Sequence, residues 1–576
     1  LCVGFQVLRL FYFDSIRASF FLSLTQLEFL IFVLPLTSTV QKHFHMQFRF
    51  LVTILVGFLI FGVTTDCLHA QKKKPSQSIS KKLSKRDQRL LKELHTELDK
   101  LLSDEAHSNT FWGVHIESLN LKFGVLYALN SEKNFVPASN QKLLTTAAAL
   151  HYLGDSFRFR TSAHTWGKIV RMENGVARLD GDLIVMSDGN PYHAERFVDS
   201  TGGFFFYQLA DSLLARNITL INGDLVADDR YIQASVYSQA ISNGDGDYAS
   251  DWAWDDLFYG MATPASALAF NENSATVSVY PADSIGKAPI ISLSPDVSFF
   301  KIENNAVTGF AQTKRTVEVV RRFGTNTILI SGSIPLDSRG FRERIAVEQP
   351  ALYFLTALKK ALEEKGIRVT GKLRRKRETD YYLTDTLQQV ASQVSPPLFS
   401  ILAETNKASN NFFAEQLLRR IGYAYRKEGT IDAGLDAVKV YLNSIGITEK
   451  HFYIIDGCGL SRKNRISPSA IVKLLKQQYK SDSFETYYQS LAVAGKDGTL
   501  QNRLRDSKAS EMTFAKTGFV GGVRTLSGYF YGEDEEWIVF SIMAMNFTQS
   551  RLEIEKVQDR IIELLAEWTE ERTQTP

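Results

Sequence analysis

A chain of 576 residues is too long for a single hydrophobic core and predicts two to four domains. Hydrophobic residues make up 44% and charged residues 22%, an ordinary globular mixture that excludes fibrous and wholly disordered classes. With 66 basic against 63 acidic side chains the formal net charge is +3, so the basic excess of a nucleic-acid-binding protein is missing and no nucleic-acid partner is expected.

The first methionine is Met46, and the segment 1–45 before it is read as an upstream extension that is not translated. From Met46 the pattern is that of an export signal over residues 46–70. Arg49 supplies the positive charge, Leu51–Val63 the apolar stretch and Leu68-His69-Ala70 the cleavage site. The competing reading is a retained membrane anchor, but a span needs about 20 apolar residues. Cleavage after Ala70 removes Cys2 and Cys67 and leaves Cys458 alone, so no intramolecular disulfide is expected. No Cys/His group has metal-ligand spacing, and neither metal nor cofactor is expected.

Residues 71–80, rich in Lys, Ser and Gln, read as a linker. Leu90, Leu91, Leu94, Leu98, Leu101 and Leu102 then form one helical stripe. Two strands follow, Trp112–Ser118 and Gly124–Leu129, and then a buried helix over Leu143–Leu153 with Ser139 near its start. From about Trp166 to Gly340 short strands and turn clusters dominate, with one helix near Phe204–Ala215. The acidic run Asp245, Asp247, Asp251, Asp255 and Asp256 in this stretch reads as a solvated loop. Helices are expected over Ala351–Lys365 and Phe412–Tyr425, with the basic run Lys372–Arg377 between them as a solvated loop. That run could support weak attraction to a membrane or an anionic wall polymer. A hairpin (Arg524–Tyr531 with Trp537–Met545) and an amphipathic helix carrying Ile554, Val557, Ile561, Leu564, Leu565 and Trp568 close the chain. The plan is an α+β catalytic domain in two parts, 81–165 and 341–576, split by inserted β-rich domains at 166–340.

Three short patterns occur in order: Ser139-Asn140-Gln141-Lys142, Ser409-Asn410-Asn411 and Lys516-Thr517-Gly518. Ser78/Lys81, Ser284/Lys287 and Ser298/Lys301 repeat the first spacing, but only Ser139 opens a buried helix. One helical turn puts residues i and i+3 on one face, so Lys142 can reach the Ser139 hydroxyl. A serine hydroxyl becomes a useful nucleophile only with a base in hydrogen-bond reach, and the lysine must be neutral to serve. A second cation lowers an ammonium pKa, and Lys516 is the candidate neighbour. Backbone N–H groups of Ser139 and Phe519 are the candidate oxyanion donors, each worth roughly 10²–10³-fold. Ser409 and Asn411 open the Phe412–Tyr425 helix and can face the same cleft, although Ser409 could equally be a simple N-cap.

Together these patterns resemble the set shared by β-lactamases and penicillin-binding proteins. Pro137-Ala138-Ser139-Asn140-Gln141-Lys142-Leu143 is similar to the nucleophile motif of the D-alanyl-D-alanine carboxypeptidase/endopeptidase family, the class C low-molecular-mass penicillin-binding proteins. So are Asn406–Asn411 with Ala414-Glu415-Gln416-Leu417, Asp456-Gly457-Cys458-Gly459-Leu460-Ser461-Arg462, Gly495–Leu500 with Arg503-Leu504, and Ala515–Gly518 with Leu526-Ser527-Gly528-Tyr529. The resemblance implies a transpeptidase-type domain, an antiparallel sheet flanked by helices, and an insertion between the first two motifs. Ser139 and Ser409 lie 270 positions apart, which leaves room for one. It also implies an exported, periplasmic or wall-associated enzyme that cleaves D-alanyl bonds in peptidoglycan peptides through an acyl-enzyme on Ser139 and is acylated by β-lactams. Ser139, Lys142, Ser409 and Asn411 would be catalytic. Lys516, Thr517, Gly518 and Phe519 would bind substrate, with Lys516 drawing the D-Ala carboxylate. The alternatives are a β-lactamase or esterase on the same serine, and a non-catalytic wall-binding protein. The chain departs from the family pattern at two places. Cys458 stands where a serine is usual, and Phe519 where a threonine or serine is.

Overall fold

Along the strand Trp537–Met545, Ile538, Phe540, Ile542 and Ala544 enter one apolar cluster while Val539 and Met543 enter another. Successive strand side chains point to opposite faces, so the sheet this strand belongs to is covered on both sides. The structure is a computed structural model and describes residues 83–574 apart from 120–122, 174, 198–203, 243–244 and 381–386. The upstream segment 1–45, the leader 46–70, the linker 71–80 and the Ser78/Lys81 pair lie outside the described residues.

Among the described residues the covered sheet has six strands: β1 (Phe111–Ser118), β2 (Val125–Leu129), β3 (Ala492–Val493), β4 (Thr513–Val520), β5 (Val523–Tyr531) and β6 (Trp537–Met545). Their order is β2-β1-β6-β5-β4-β3 and every neighbouring pair is antiparallel. The flanking helices are α1 (Lys85–Leu102), α2 (Gln141–Leu153), α3 (Asn411–Arg426), α4 (Ile431–Ser444), α5 (Pro468–Tyr479) and α6 (Arg551–Thr573). Leu90, Leu94 and Leu98 of α1 and Ile554, Ile561 and Leu565 of α6 share a cluster with Leu526 and Phe530 of β5. On the other face Leu143, Leu417, Val438 and Ile471, from α2 to α5 in turn, pack with Tyr529. The layering α/β/α is the expected antiparallel sheet between helices. Helices α1 and α6 each start at a capping box, Ser84 with Asp87 and Ser550 with Glu553. No helix among the described residues is long and apolar enough to cross a membrane.

The interruption is broader than its texture suggested. A seven-stranded mixed sheet draws on Arg160–Arg171 and Gln388–Val394 as well as on Ala177–Ser187, Ile218–Ile221 and Leu225–Asp228, so it reaches past both 166 and 340. Among the described residues the segment also holds two three-stranded sheets, one around Ser274–Tyr280 and one around Thr327–Ser331, and a two-stranded pair, Val307–Gly309 with Ser333–Pro335. Beside the helix Phe205–Leu214 there is a short second one, Val236–Ile241.

Two charged runs are solvated only in part. In the basic run, Arg374 meets Asp182, Asp224 and Asp380 at 2.9, 2.5 and 2.5 Å, and Arg375 meets Asp229 at 2.5 Å. Arg374 and Arg375 are thus paired within the fold, while Lys372 and Arg377 of the same run stay exposed. In the acidic run, Asp245 and Asp247 are buried. Asp245 accepts from the Ala351 N–H at 2.8 Å, and Asp247 pairs with Arg419 of α3 at 2.9 Å.

Helices α3 and α4 cross at two glycines. A Cβ on Gly434 would lie 2.3 Å from the Leu418 carbonyl oxygen, and one on Gly422 would lie 2.6 Å from the Gly434 nitrogen. Helix propensity alone favours Gly434→Ala by about 1 kcal/mol, while forced overpacking costs about 1–3 kcal/mol. The expected result is a net loss of stability in urea unfolding. A more stable variant would show that the helices do not meet there.

Candidate active site

The first motif is presented by a tight turn. Ala138–Asn140 is a single 3₁₀ turn that runs into α2, and Ala138 adopts a left-handed conformation with φ 45°. A non-glycine residue there is strained. The neighbouring loop holds it: a Cβ on Gly459 would fall 1.8 Å from the Ala138 carbonyl oxygen. The turn is also tied to the sheet. Thr525 Oγ1 donates to the Pro137 carbonyl at 2.9 Å, Asn140 Nδ2 donates to the Lys516 carbonyl at 2.6 Å, and Ser527 Oγ donates to Asn140 Oδ1 at 2.7 Å. A Cβ on Gly518 would lie 3.0 Å from the Ser139 nitrogen and 2.1 Å from Thr525 Oγ1, so the closest strand-to-turn approach needs a glycine.

Ser139 is partly exposed, and Lys142 is fully buried beneath it. The Lys142 Nζ lies 3.0 Å from Ser139 Oγ, 2.7 Å from Asn411 Oδ1 and 2.7 Å from the Cys458 carbonyl oxygen. Burial pushes the Lys142 pKa down, opposed by the nearby Cys458, Asp456 and Glu415. The second lysine, Lys516, is also fully buried and donates to Ser409 Oγ at 2.9 Å and to the Thr517 carbonyl at 2.8 Å. Its pKa is pushed well down by burial and then by the positive charges of Lys142 and Arg524. The repulsion expected from the sequence therefore bears on Lys516. For Lys142 it is desolvation that lowers the pKa.

The geometry brings Ser139, Lys142, Asn411, Ser409, Lys516 and Gly518 together. Ser409 is not the N-cap of α3. It is left-handed, with φ 57°, and Asn410 caps the helix by accepting from the Phe413 N–H at 3.2 Å. Asn411 spans two partners: its Oδ1 accepts from Lys142, and its Nδ2 donates to the Met261 carbonyl at 2.7 Å. Thr517 turns to Thr499, with the hydroxyls 2.8 Å apart. The Phe519 side chain is half exposed, with the Arg524 and Arg551 guanidinium groups 5.6 and 5.8 Å from its ring centre. Ser284 and Ser298 lie in the interrupting segment, with no buried helix after them.

Several contributors carried no chemical signal of their own in the sequence. The Cys458 contact is made by a backbone carbonyl, and the Cys458 thiol is buried with its pKa well above the usual value, first because of burial and then because of Asp456 and Glu415. Glu415 Oε1 accepts from the Gly457 and Cys458 N–H groups at 2.8 and 2.9 Å. Asp456 accepts from Trp252 Nε1, the Gly459 and Ser461 N–H groups and Asn464 Nδ2 at 2.7–2.9 Å. Glu415, Asp456 and Cys458 bring potential metal-ligand atoms within 4.8 Å of one another. Their carboxylate oxygens are already taken by N–H donors, which makes the cluster a hydrogen-bonded scaffold.

Both lysines have folded pKa values below the ordinary 10.5. Between the folded values and 10.5 the unfolded chain binds more protons, so each lysine makes stability rise with pH, by up to about 1.4 kcal/mol per unit. Lys516→Met is expected to flatten that rise in urea unfolding between neutral and alkaline pH. An unchanged slope would mean that Lys516 is not held in its low-pKa state.

The profile of the D-Ala-D-Ala carboxypeptidase 3 (S13) family matches residues 94–568. A D-alanyl-D-alanine carboxypeptidase of Actinomadura sp. is 32% identical over 493 residues, covering 83% of this chain and 85% of that protein. A penicillin-sensitive carboxypeptidase A of Dictyostelium discoideum is 26% identical over 537 residues, covering 89% of this chain and 98% of that protein. The crystal structure of penicillin binding protein 4 from Haemophilus influenzae superposes with a TM-score of 0.68 at 25% identity, covering 82% of this chain and 98% of that one. With the family profile spanning most of its length, this chain belongs to the D-Ala-D-Ala carboxypeptidase 3 (S13) family of serine peptidases.

Proposed function

We propose that this enzyme cleaves D-alanyl peptide bonds of peptidoglycan stem peptides through an acyl-enzyme on Ser139, with Lys142 as its base. The observation that carries this reading is the set of three contacts around Lys142 Nζ: the Ser139 hydroxyl at 3.0 Å and two acceptors, Asn411 Oδ1 and the Cys458 carbonyl, at 2.7 Å each. A neutral amine has two N–H bonds and one lone pair. The two acceptors occupy the N–H bonds, which leaves the lone pair facing the Ser139 O–H. Burial favours the neutral amine this requires.

In the forward step Ser139 Oγ bonds to the scissile carbonyl carbon, and its proton passes to Lys142. The oxygen that becomes negative is received by the Ser139 and Phe519 N–H groups, at the helix start and at the strand beside it. Collapse breaks the C–N bond, and Ser409, bridged to Lys516 at 2.9 Å, relays the proton taken up by Lys142 to the departing D-alanine amine, which leaves Lys142 neutral again for the hydrolytic step. Water then hydrolyses the ester and restores Ser139. Lys516 is an ammonium when a carboxylate lies beside it and draws the substrate's free end. One Asn411 Nδ2 hydrogen serves Met261, and the second is available to a substrate amide. β-Lactams acylate the same hydroxyl. The leader at 46–70 fits an enzyme that works outside the cytoplasm, in the periplasm or against the wall.

Ser139→Ala is expected to abolish covalent labelling by fluorescent penicillin, while Ser78→Ala, Ser284→Ala and Ser298→Ala keep it. Mass spectrometry of muropeptide monomers and cross-linked dimers after incubation should show D-alanine loss, dimer cleavage or both with the unmodified enzyme and neither with Ser139→Ala. Labelling that survives in Ser139→Ala would sink the assignment.

A further inference from the structure

Behind the site, three fully buried charges form a line from the interrupting segment to the Lys142 pocket. Asp247 Oδ2 accepts from Arg419 Nη2 at 2.9 Å and from Nε at 3.1 Å, and the Asp247 carbonyl accepts from Nη2 at 3.3 Å. Arg419 pairs through its Nη1 with Glu415, one turn back on α3. The other Glu415 oxygen receives the Gly457 and Cys458 N–H groups. The peptide unit after those donors ends in the Cys458 carbonyl that takes one hydrogen of Lys142 at 2.7 Å. All three side chains are shielded from solvent.

A buried ion triad is weak evidence for stability, because desolvation offsets most of the attraction. What this one does is geometric. The Gly457-Cys458-Gly459 stretch is a loop whose N–H groups are held by two carboxylates: Glu415 takes those of Gly457 and Cys458, and Asp456 takes that of Gly459 at 2.7 Å. Glu415 sets the plane of the peptide between its two donors, and together with Asp456 on the following N–H it fixes the direction of the Cys458 carbonyl. Without that direction the second Lys142 hydrogen loses its acceptor, and the lone pair is free to turn from Ser139.

We infer that Glu415 is a positioning residue for Lys142, acting through the Gly457-Cys458 peptide, and that Arg419 and Asp247 hold Glu415 so that the interrupting segment reaches the base. This rests on the reading of Ser139 and Lys142 above. The groups facing Lys142 are Ser139 on its own turn, Asn411 on α3 and Cys458 on the loop, with the charges of Asp456, Glu415 and Lys516 around them. The negative charge of Glu415 supports the ammonium form. Removing it makes Lys142 lose its proton more readily.

The test is the pH dependence of β-lactam acylation by Glu415→Gln and Asp247→Asn, measured by stopped flow per competent molecule, with intact-mass spectrometry counting the acylated fraction. In Glu415→Gln the limiting acylation rate is expected to fall by up to about 100-fold, as a small misplacement of a reacting group can cause. The non-covalent binding constant should hold, and the acid limb of the profile should move to lower pH. Asp247→Asn should lower the rate in the same direction by less. Wild-type rate and profile in Glu415→Gln, with labelling still lost in Ser139→Ala, would overturn the positioning role and leave the nucleophile intact. Labelling retained in Ser139→Ala would instead overturn the reading beneath it. Should both variants fail to fold, hydrogen exchange in the unmodified enzyme decides: the Gly457 and Cys458 amides should exchange as slowly as core helix amides, and fast exchange refutes the inference.

Discussion

A primary amine kept out of water is the constraint on which the catalytic half of this molecule depends. Lys142 is fully buried, and an isolated ammonium in such a place is strongly disfavoured. Neutrality relieves part of that cost, but the N–H bonds still need acceptors. Their supply shapes the surroundings: Asn411 comes from α3 and the Cys458 carbonyl from a loop far along the chain, while Ser139, on the turn one helical step back, faces the remaining lone pair. None of the three can shift without leaving a buried polar atom unpaired, at a cost of about 1–3 kcal/mol. Strained or intimate backbone also occurs here. Ala138 and Ser409 are left-handed, and Gly459 and Gly518 allow contacts that a Cβ would block.

The interrupting segment belongs to this arrangement. Helix α3, which presents Asn411, is gripped from that segment at three levels. Asn410 at its start meets Glu272, Gln416 reaches the Gly189 and Ser266 carbonyls, and Arg419 meets Asp247. Helix α4 crosses it on the glycine pair. A helix held on so many sides presents its first residue with little freedom, which a positioned amide requires.

The parts legible in the sequence are those governed by local pattern. The strand Trp537–Met545 is an almost unbroken apolar run, α1 repeats its leucines at helical spacing, and Ser139 with Lys142 is an i, i+3 pair. Helix α5 is not among the predicted helices, although Ser467-Pro468 is a helix start of the ordinary kind. Nor is helix α4, which has Gly434 within it for packing rather than for propensity. The buried acids could not have been read. Charged side chains are normally exposed, so Asp245 and Asp247 looked like a solvated loop, and the partner of Asp247 lies 172 residues away. The Cys458 carbonyl is invisible for a deeper reason: every residue has one, and only tertiary structure says where it points.

The surroundings of the two lysines also decide which role each can take. Both are buried and both are lowered, but their neighbours differ in sign. Lys142 sits among acceptors with Asp456 and Glu415 close by, which temper the effect of burial and leave its proton affinity adjustable. Lys516 sits among cations, with Lys142 and Arg524 adding to the effect of burial, so its environment is short of negative charge. A site short of negative charge favours an arriving carboxylate, and a base needs fixed acceptors beside a hydroxyl. In the proposed mechanism, exchanging the roles would set the carboxylate against Asp456 and Glu415 and put the base beside Ser409 instead of beside the Ser139 hydroxyl. The proposed division between a base at 142 and an anion holder at 516 therefore agrees with the charges packed behind each amine.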